Sequence, residues 1–552
     1  MNSLPSLAIR AVSEIDSLLQ KANDECDGVI VFFSDKNALM KALPASKTYA
    51  DLDAGFGDAV QVIVSETKVP AARIVIAPVG SIRGDFDDVR RYKDAAFAAG
   101  KRALKAGIRS PNVYFADVPG GADNAWTEAG NEYKHFIEVT LLGLLDSTFE
   151  PIDAREHYAR VKADVAEFEK ITVFTEKSIL SQAAVSDLLK HVEAIEIGRR
   201  VSIDIGSPDP ERMSPANIVE YLKTAFKNDK NIKLTVIDDI AEIKKNYPLA
   251  HAVTRASLAV PRHHPRFVHF EYKSPDQTEV KENLYFVGKG VTYDTGGADI
   301  KCSGHMRAMS HDKCGAATVA GFMKTLSLLQ PNKVNVRAGI ALVRNSVGSD
   351  SYVSDEIIYS RSGTRVLVGN TDAEGRMVMT DLLCEFKEQV IAEKQSNTPA
   401  SKAPSFLITV ATLTGHALRA YDGYGIALDN GFSRRHKISK RIYEAGHILA
   451  DPFEISTFRR EDIAVVRPGR SSEDVVQAND KASTATNRGH QYPAGFMLIA
   501  SGLDKHGLDS ETPIGFTHMD VAGSAETIDA VGWSIPRVTG SPVPALTGAF
   551  AL

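Results

Sequence analysis

The chain has 552 residues, of which 43% are hydrophobic and 24% charged, and its formal net charge is −6. This is the composition of a soluble globular protein, and the negative balance excludes general attraction to nucleic acid or an anionic membrane. At about 150 residues per domain the length exceeds one core and predicts two to four domains.

No apolar run nears the roughly 18 residues of a membrane span. The N-terminus, Met1-Asn-Ser-Leu-Pro-Ser-Leu-Ala-Ile-Arg10, lacks a basic start followed by a long apolar core, and acidic Glu14 and Asp16 argue against a mitochondrial presequence. The four cysteines, Cys26, Cys302, Cys314 and Cys384, show no CxxC spacing, which fits a reducing cytoplasm, and Cys302 and Cys314, beside the motif residues, read as small buried thiols. Residues 27–33, 72–78, 112–116 and 171–174 are short β-rich runs, with helical spacing over 85–106 and an amphipathic helix expected over 126–145. Strand and helix in alternation predict an α/β fold. We read two domains: a smaller N-terminal α/β domain over 1–185, for assembly or regulation, and a larger C-terminal catalytic α/β domain over 186–552 with a central mixed sheet.

A connecting helix is expected over 185–200, and another at Ser214-Pro215, where Ser caps and Pro occupies the first turn. Strands at 233–237, 268–272, 336–343 and 406–410 fit the mixed sheet. Ligands gather at the carboxyl ends of strands in such sheets, where Lys289, Asp372 and Thr412 fall. The fifteen histidines contain no HExxH. His263-His264 reads as a surface loop, His311 as a local partner of Asp312, and His518 as a satisfied core histidine. The basic run 434–441 reads as a solvated helix face and 394–404 as a loop.

Chemistry concentrates between Lys289 and Arg376. Val287-Gly-Lys289-Gly-Val-Thr-Tyr-Asp294-Thr-Gly-Gly297 leads through Lys301 and Asp312 to Asn370-Thr-Asp372-Ala-Glu374-Gly-Arg376. Glycines 288, 290, 296 and 297 allow sharp turns and close approach to a ligand, so Lys289 and Asp294 are expected at a strand end. Asp372 and Glu374 follow a strand-like run, where period-two alternation would turn both to one side. Asp312 opens a small-residue helix whose first turn suits an anion. Four carboxylates this close would repel and stay partly protonated unless cations neutralise them. Two divalent ions resolve that conflict. Carboxylate oxygens suit Zn, Mn or Mg, and a neutral lysine nitrogen shifts the choice towards Zn, Mn or Co. The glycine spacing does not match a phosphate loop.

These motifs, with Ala411-Thr-Leu-Thr-Gly415 and Thr517-His-Met-Asp520-Val-Ala-Gly523, resemble the leucyl aminopeptidase (cytosol aminopeptidase) family of di-metal exopeptidases over roughly the last two-thirds of the chain. The resemblance implies a metal-dependent aminopeptidase acting on short peptides, with two Zn or Mn ions per subunit. Asp294 and Glu374 would bridge both ions, Asp372 would complete the exchangeable one, and Lys289 with Asp312 the tighter one. Lys301 would stay protonated and stabilise the oxyanion, and Arg376 would hold a bicarbonate-like general base for the bridging water. The Leu413 carbonyl would orient that water, and Met309, Thr412 and Gly415 would wall the pocket for the first side chain. A homohexamer with catalytic domains at its centre is also implied.

The chain departs from the family at Met309-Ser-His-Asp312-Lys-Cys-Gly315, where Ser310 and Lys313 replace a lysine and a methionine. That departure motivates an alternative: a weak or inactive family member serving in assembly or binding. A di-metal phosphohydrolase is a third reading, lacking the histidines common in such sites.

Overall fold

The computed structural model describes residues 4–11, 26–64, 73–82, 85–119, 133–175, 182–467, 472–479, 486–527 and 535–552. Two compact units partition the chain, Met1–Glu196 with His447–Ala450, and Ile197–Gly446 with Asp451–Leu552. The division falls inside the helix Gln182–Gly206, which is longer than its sequence pattern suggested.

Among the described residues, the first unit is built on six strands: β1 (Ser6–Ala11), β2 (Gly28–Phe33), β3 (Gln61–Val64), β4 (Arg73–Pro78), β5 (Pro111–Phe115) and β6 (Lys170–Thr175). Their spatial order is β1-β6-β5-β2-β4-β3, parallel except for the β3–β4 pair. Valine and isoleucine fill β2 and β4, and these strands are buried nearly throughout, as a sheet covered on both faces requires. The helix Arg90–Lys105 turns its alanines towards Phe136–Asp146. A Cβ on Gly143 would stand 2.6 Å from the Lys93 carbonyl, so glycine permits that close crossing. Residues 126–132 of the expected amphipathic helix lie outside the described residues. Its described part, Phe136–Asp146, is buried all round rather than amphipathic, because it packs inside the unit.

The second unit holds β7 (Ile232–Ile237), β8 (Arg266–Tyr272), β9 (Glu282–Asp294), β10 (Val334–Asn345), β11 (Ile357–Tyr359), β12 (Arg365–Leu367), β13 (Ser405–Ala411), β14 (Gly425–Asp429), β15 (Phe453–Ile455), β16 (Val475–Val476) and β17 (Gly515–Asp520). Eight of these form the expected mixed sheet, in order β15-β14-β17-β13-β9-β10-β8-β7, and β11-β12-β16 form a small separate one. β10, β9, β13 and β17 run parallel, so Asn345, Asp294, Thr412 and Asp520 gather at one edge. The helix Cys314–Leu329 covers one face. Ser214 precedes the helix Pro215–Ala225 in extended conformation, but its side chain makes no capping hydrogen bond.

His263 corrects a surface-loop expectation: it is buried, with Nε2 2.8 Å from Glu211. The run 434–441 is exposed in the main, although Arg441 pairs with Glu282 at 2.7 Å. Cys314 is buried as expected, whereas Cys302 is exposed; Cys384 is buried too.

Asp381 ties the helix Glu374–Lys394 to two loops. Fully buried, it accepts hydrogen bonds from the backbone N–H groups of Leu249 and Arg361, both at 2.8 Å. Asp381→Ala strands both donors, and at ~1–2 kcal/mol each it should lower stability by about 2–4 kcal/mol, read as a lower urea midpoint. Burial outweighs those donors and pushes the carboxyl up to about 7 from 3.8. The folded state therefore keeps a proton the unfolded chain has lost across that window, and this group's contribution declines as pH rises through it. The variant should show a shallower decline.

Candidate metal centre

β9 carries both ends of the site. Lys289 lies within the strand, beside Ala341 of β10, and not at a strand end as expected; the strand continues to Asp294. Gly288 serves helix packing, since a Cβ there would stand 2.7 Å from Cα of Ala316. Gly296 and Gly297 do make the turn after the strand, at φ +87 and +70. Gly296 N–H donates to Asp294 Oδ1 at 2.9 Å, and Asn345 Nδ2 donates to the same oxygen at 2.8 Å. One oxygen of Asp294 is thereby fixed by protein donors.

Asp372 and Glu374 do not alternate along a strand. β12 ends at Leu367; Asp372 sits in the following turn, and Glu374 is the first residue of the helix Glu374–Lys394. There the unpaired N–H groups favour an anion. Gly375 leaves room for the lysine stem, because a Cβ would lie 2.7 Å from Lys289 Cε. Asp312 follows a short 3₁₀ turn, Met309–His311, two residues before the helix Cys314–Leu329.

Together these elements make two ion-paired halves. Lys289 Nζ lies 2.7 Å from Asp312 Oδ1 and 2.8 Å from Glu374 Oε1, and donates to the Thr412 carbonyl at 3.0 Å. Lys301 Nζ lies 2.9 Å from Asp294 Oδ2 and pairs closely with Asp372. Oxygens of Asp294, Asp312 and Glu374 fall within 4.8 Å of one another. Thr412 Oγ1 donates to Asp312 Oδ1 at 2.9 Å.

Burial opposes the charge on Lys289, but Asp312, Glu374 and Asp294 outweigh it and raise its pKa. Lys301 is raised in the same way, chiefly by Asp294. Burial, then Glu374 and Asp294, push Asp372 up to about 7 against the pull of Lys301, and burial raises Asp312 despite Lys289. Two ammonium groups thus leave four carboxylates under-neutralised. Among the described residues, Asp312 Oδ2 and Glu374 Oε2 are buried without a hydrogen-bond partner. Unpaired carboxylate oxygens facing surplus acid charge fit a bound divalent cation.

Arg376 donates from Nη1 to the Gln477 carbonyl at 2.8 Å, and its buried Nε has no partner among the described residues. Burial draws its guanidinium down to about 10. Two adjoining hollows, about 820 and 790 Å³ to their open mouths, share Lys301, Asp372, Glu374, Leu413 and Gly415. Arg376 lines the first, and Met309 and Thr412 the second.

The catalytic-domain profile of the cytosol aminopeptidase family matches residues 201–547, more than half of the chain. This chain belongs to the cytosol aminopeptidase family. A Caenorhabditis elegans protein named as an aminopeptidase, W07G4.4, is 36% identical over 497 residues, covering 90% of this chain and 89% of its own length. An Azotobacter vinelandii protein named as a cytosol aminopeptidase is 27% identical over 92% of this chain and 90% of its own. The bottromycin maturation enzyme BotP, solved in complex with Mn, shares the fold, with a TM-score of 0.69 over 95% of this chain and 98% of its own at 19% identity.

In this cytosol aminopeptidase family member several supporting residues carry no local sequence signal. Asp299 accepts the Thr371 N–H at 2.8 Å, and Gln477 Nε2 donates to the Asn370 and Ala373 carbonyls at 2.8 and 3.0 Å, which fixes the turn bearing Asp372. Asp520 accepts from Leu413 N–H at 3.1 Å and Thr414 Oγ1 at 2.7 Å. Asp520 stood in a noted motif, but its partners emerge only from β17 lying beside β13. His518 Nδ1 meets Thr409 Oγ1 at 2.7 Å, while its Nε2 has no partner among the described residues. His311 faces Glu526 at 3.3 Å instead of serving Asp312.

Proposed function

We propose that the protein is a metal-dependent aminopeptidase that removes the N-terminal residue of short peptides. The observation that supports this best is the cluster of four carboxylates and two lysines, with Lys289, Asp294, Asp312 and Glu374 buried and unpartnered oxygens on Asp312 and Glu374. Asp294, Asp312, Asp372, Glu374 and Lys289 would hold two divalent ions, Zn or Mn. Bound there, such ions supply Lewis acidity and a water of lowered pKa. Lys289 would have to give up its proton on loading. Lys301 stays charged and meets negative charge developing on the scissile carbonyl oxygen. Arg376, with its free Nε, would hold a bicarbonate-like anion that accepts a proton from water, and the Leu413 carbonyl would orient that water. Met309, Thr412 and Gly415 wall the space for the first side chain.

The reading extends to a cytoplasmic homohexamer, to be checked by sedimentation. A second reading, a weak or inactive member serving in assembly or binding, draws on Lys313. Its fully buried ammonium donates to the Pro208 carbonyl at 3.0 Å and to that of Ser310, where relatives of the usual pattern carry methionine. Aminoacyl-amide and dipeptide libraries assayed with added Mn or Zn should show release of the first residue. No turnover by fully metallated protein would favour the second reading, and activity on phosphoesters alone would revive a phosphohydrolase.

A further inference from the structure

The hollow that holds the carboxylate cluster carries one more acid, set apart from the two lysines. Ala308, Met309, Leu418 and Ala522 give it apolar walls, and His311 and Glu526 interrupt them. Glu526 is half-buried, and its Oε1 lies 3.3 Å from Nδ1 of His311. That nitrogen is buried and makes no hydrogen bond of good geometry among the described residues. Lys289 and Lys301, the ammonium groups of the same hollow, are committed to Asp312, Glu374, Asp294 and Asp372. No lysine or arginine pairs with Glu526 among the described residues. Its backbone is held in place: Glu526 bridges Val538, Ala525 N–H donates to the Val521 carbonyl at 2.9 Å, and Thr527 N–H donates to the Arg537 carbonyl at 2.8 Å.

A leucine side chain entering this space would take water from a carboxylate and give nothing back. An acidic side chain would add repulsion. A long cationic side chain can lay its methylenes along Met309 and Leu418 and set its charged head on Glu526, satisfying both surfaces at once.

We propose that Glu526 makes this protein select peptides whose N-terminal residue is arginine or lysine. The inference rests on the aminopeptidase reading and assigns the substrate class of that same site. With Mn-loaded full-length protein, kcat/KM for arginyl and lysyl amidomethylcoumarin should exceed that for the leucyl compound by about tenfold or more, with the glutamyl compound lowest. Glu526→Gln, and independently Glu526→Met, should reduce the arginyl-to-leucyl ratio about tenfold, chiefly through KM. Calorimetry with free L-arginine and L-leucine reads the pocket without turnover: arginine should bind about tenfold tighter, and the variants should lose the difference. Hydrolysis with leucine equal or preferred in the unmodified protein overturns the proposal and leaves the aminopeptidase reading standing. Preferential arginine binding without hydrolysis of any compound does the reverse. Equal binding of both amino acids overturns the proposal whatever the turnover.

Discussion

Lys301→Ala should lower kcat by about 10²–10³-fold while bound metal stays at the level of the unmodified protein. The ammonium stands 2.9 Å from Asp294 and beside Asp372, and these acids hold it charged against the pull of burial. A fixed positive charge in a largely dry cleft interacts strongly with an oxygen that gains negative charge only in the transition state. The ground-state substrate carries no such charge, so the loss should fall on kcat more than on KM. Removing the ammonium also leaves Asp294 and Asp372 less neutralised, which strengthens their hold on cations. Metal analysis beside steady-state kinetics checks this. A fall in metal proportional to the lost rate would reduce Lys301 to a structural counter-ion.

The carboxylate set was legible because its members lie within one stretch of chain beside strand-like runs, and acids there need a partner. How they converge was less so. Asp372 and Glu374 were placed by strand alternation, yet β12 stops at Leu367 and Glu374 opens a helix, so the helix N-terminus aims the second acid. Glycines 288 and 290 looked like ligand contacts, but they answer packing demands, Gly288 from Ala316 and Gly290 chiefly from the Ala341 carbonyl of β10, which periodicity cannot reveal. The mixed sheet was readable from its apolar runs. Its strand order was not, since β13 beside both β9 and β17 is a long-range pairing with no local signature. Glu526 and Asp520 reach the site only through that pairing. His263 and Cys302 were misjudged for a related reason: Glu211, far away in sequence, draws His263 inside, while Cys302 falls in an exposed turn among glycines and polar residues.

Glu374→Gln should abolish metal retention, and unlike most substitutions at buried charges it should do so without weakening the metal-free fold. The side chain is 2% exposed, with Oε1 2.8 Å from Lys289 and Oε2 unpartnered among the described residues. An amide keeps the shape and an acceptor for the lysine, but it removes the charge that helps push Asp372 up to about 7. Without metal, then, the substitution relieves the repulsion that Glu374 exerts on Asp312 and Asp372 at the expense of one ion pair, and the two effects oppose each other. With metal the balance tips one way, because a neutral amide oxygen is a much poorer ligand than a carboxylate. Thermal unfolding separates these cases. Added Mn at about 100 times its Kd should stabilise the unmodified protein by about 2.7 kcal/mol and raise its midpoint, whereas the variant should unfold near the metal-free midpoint at every Mn concentration. A variant that kept full metal and the Mn-dependent rise would remove Glu374 from the ligand set and transfer the site's cation affinity to Asp294 and Asp312.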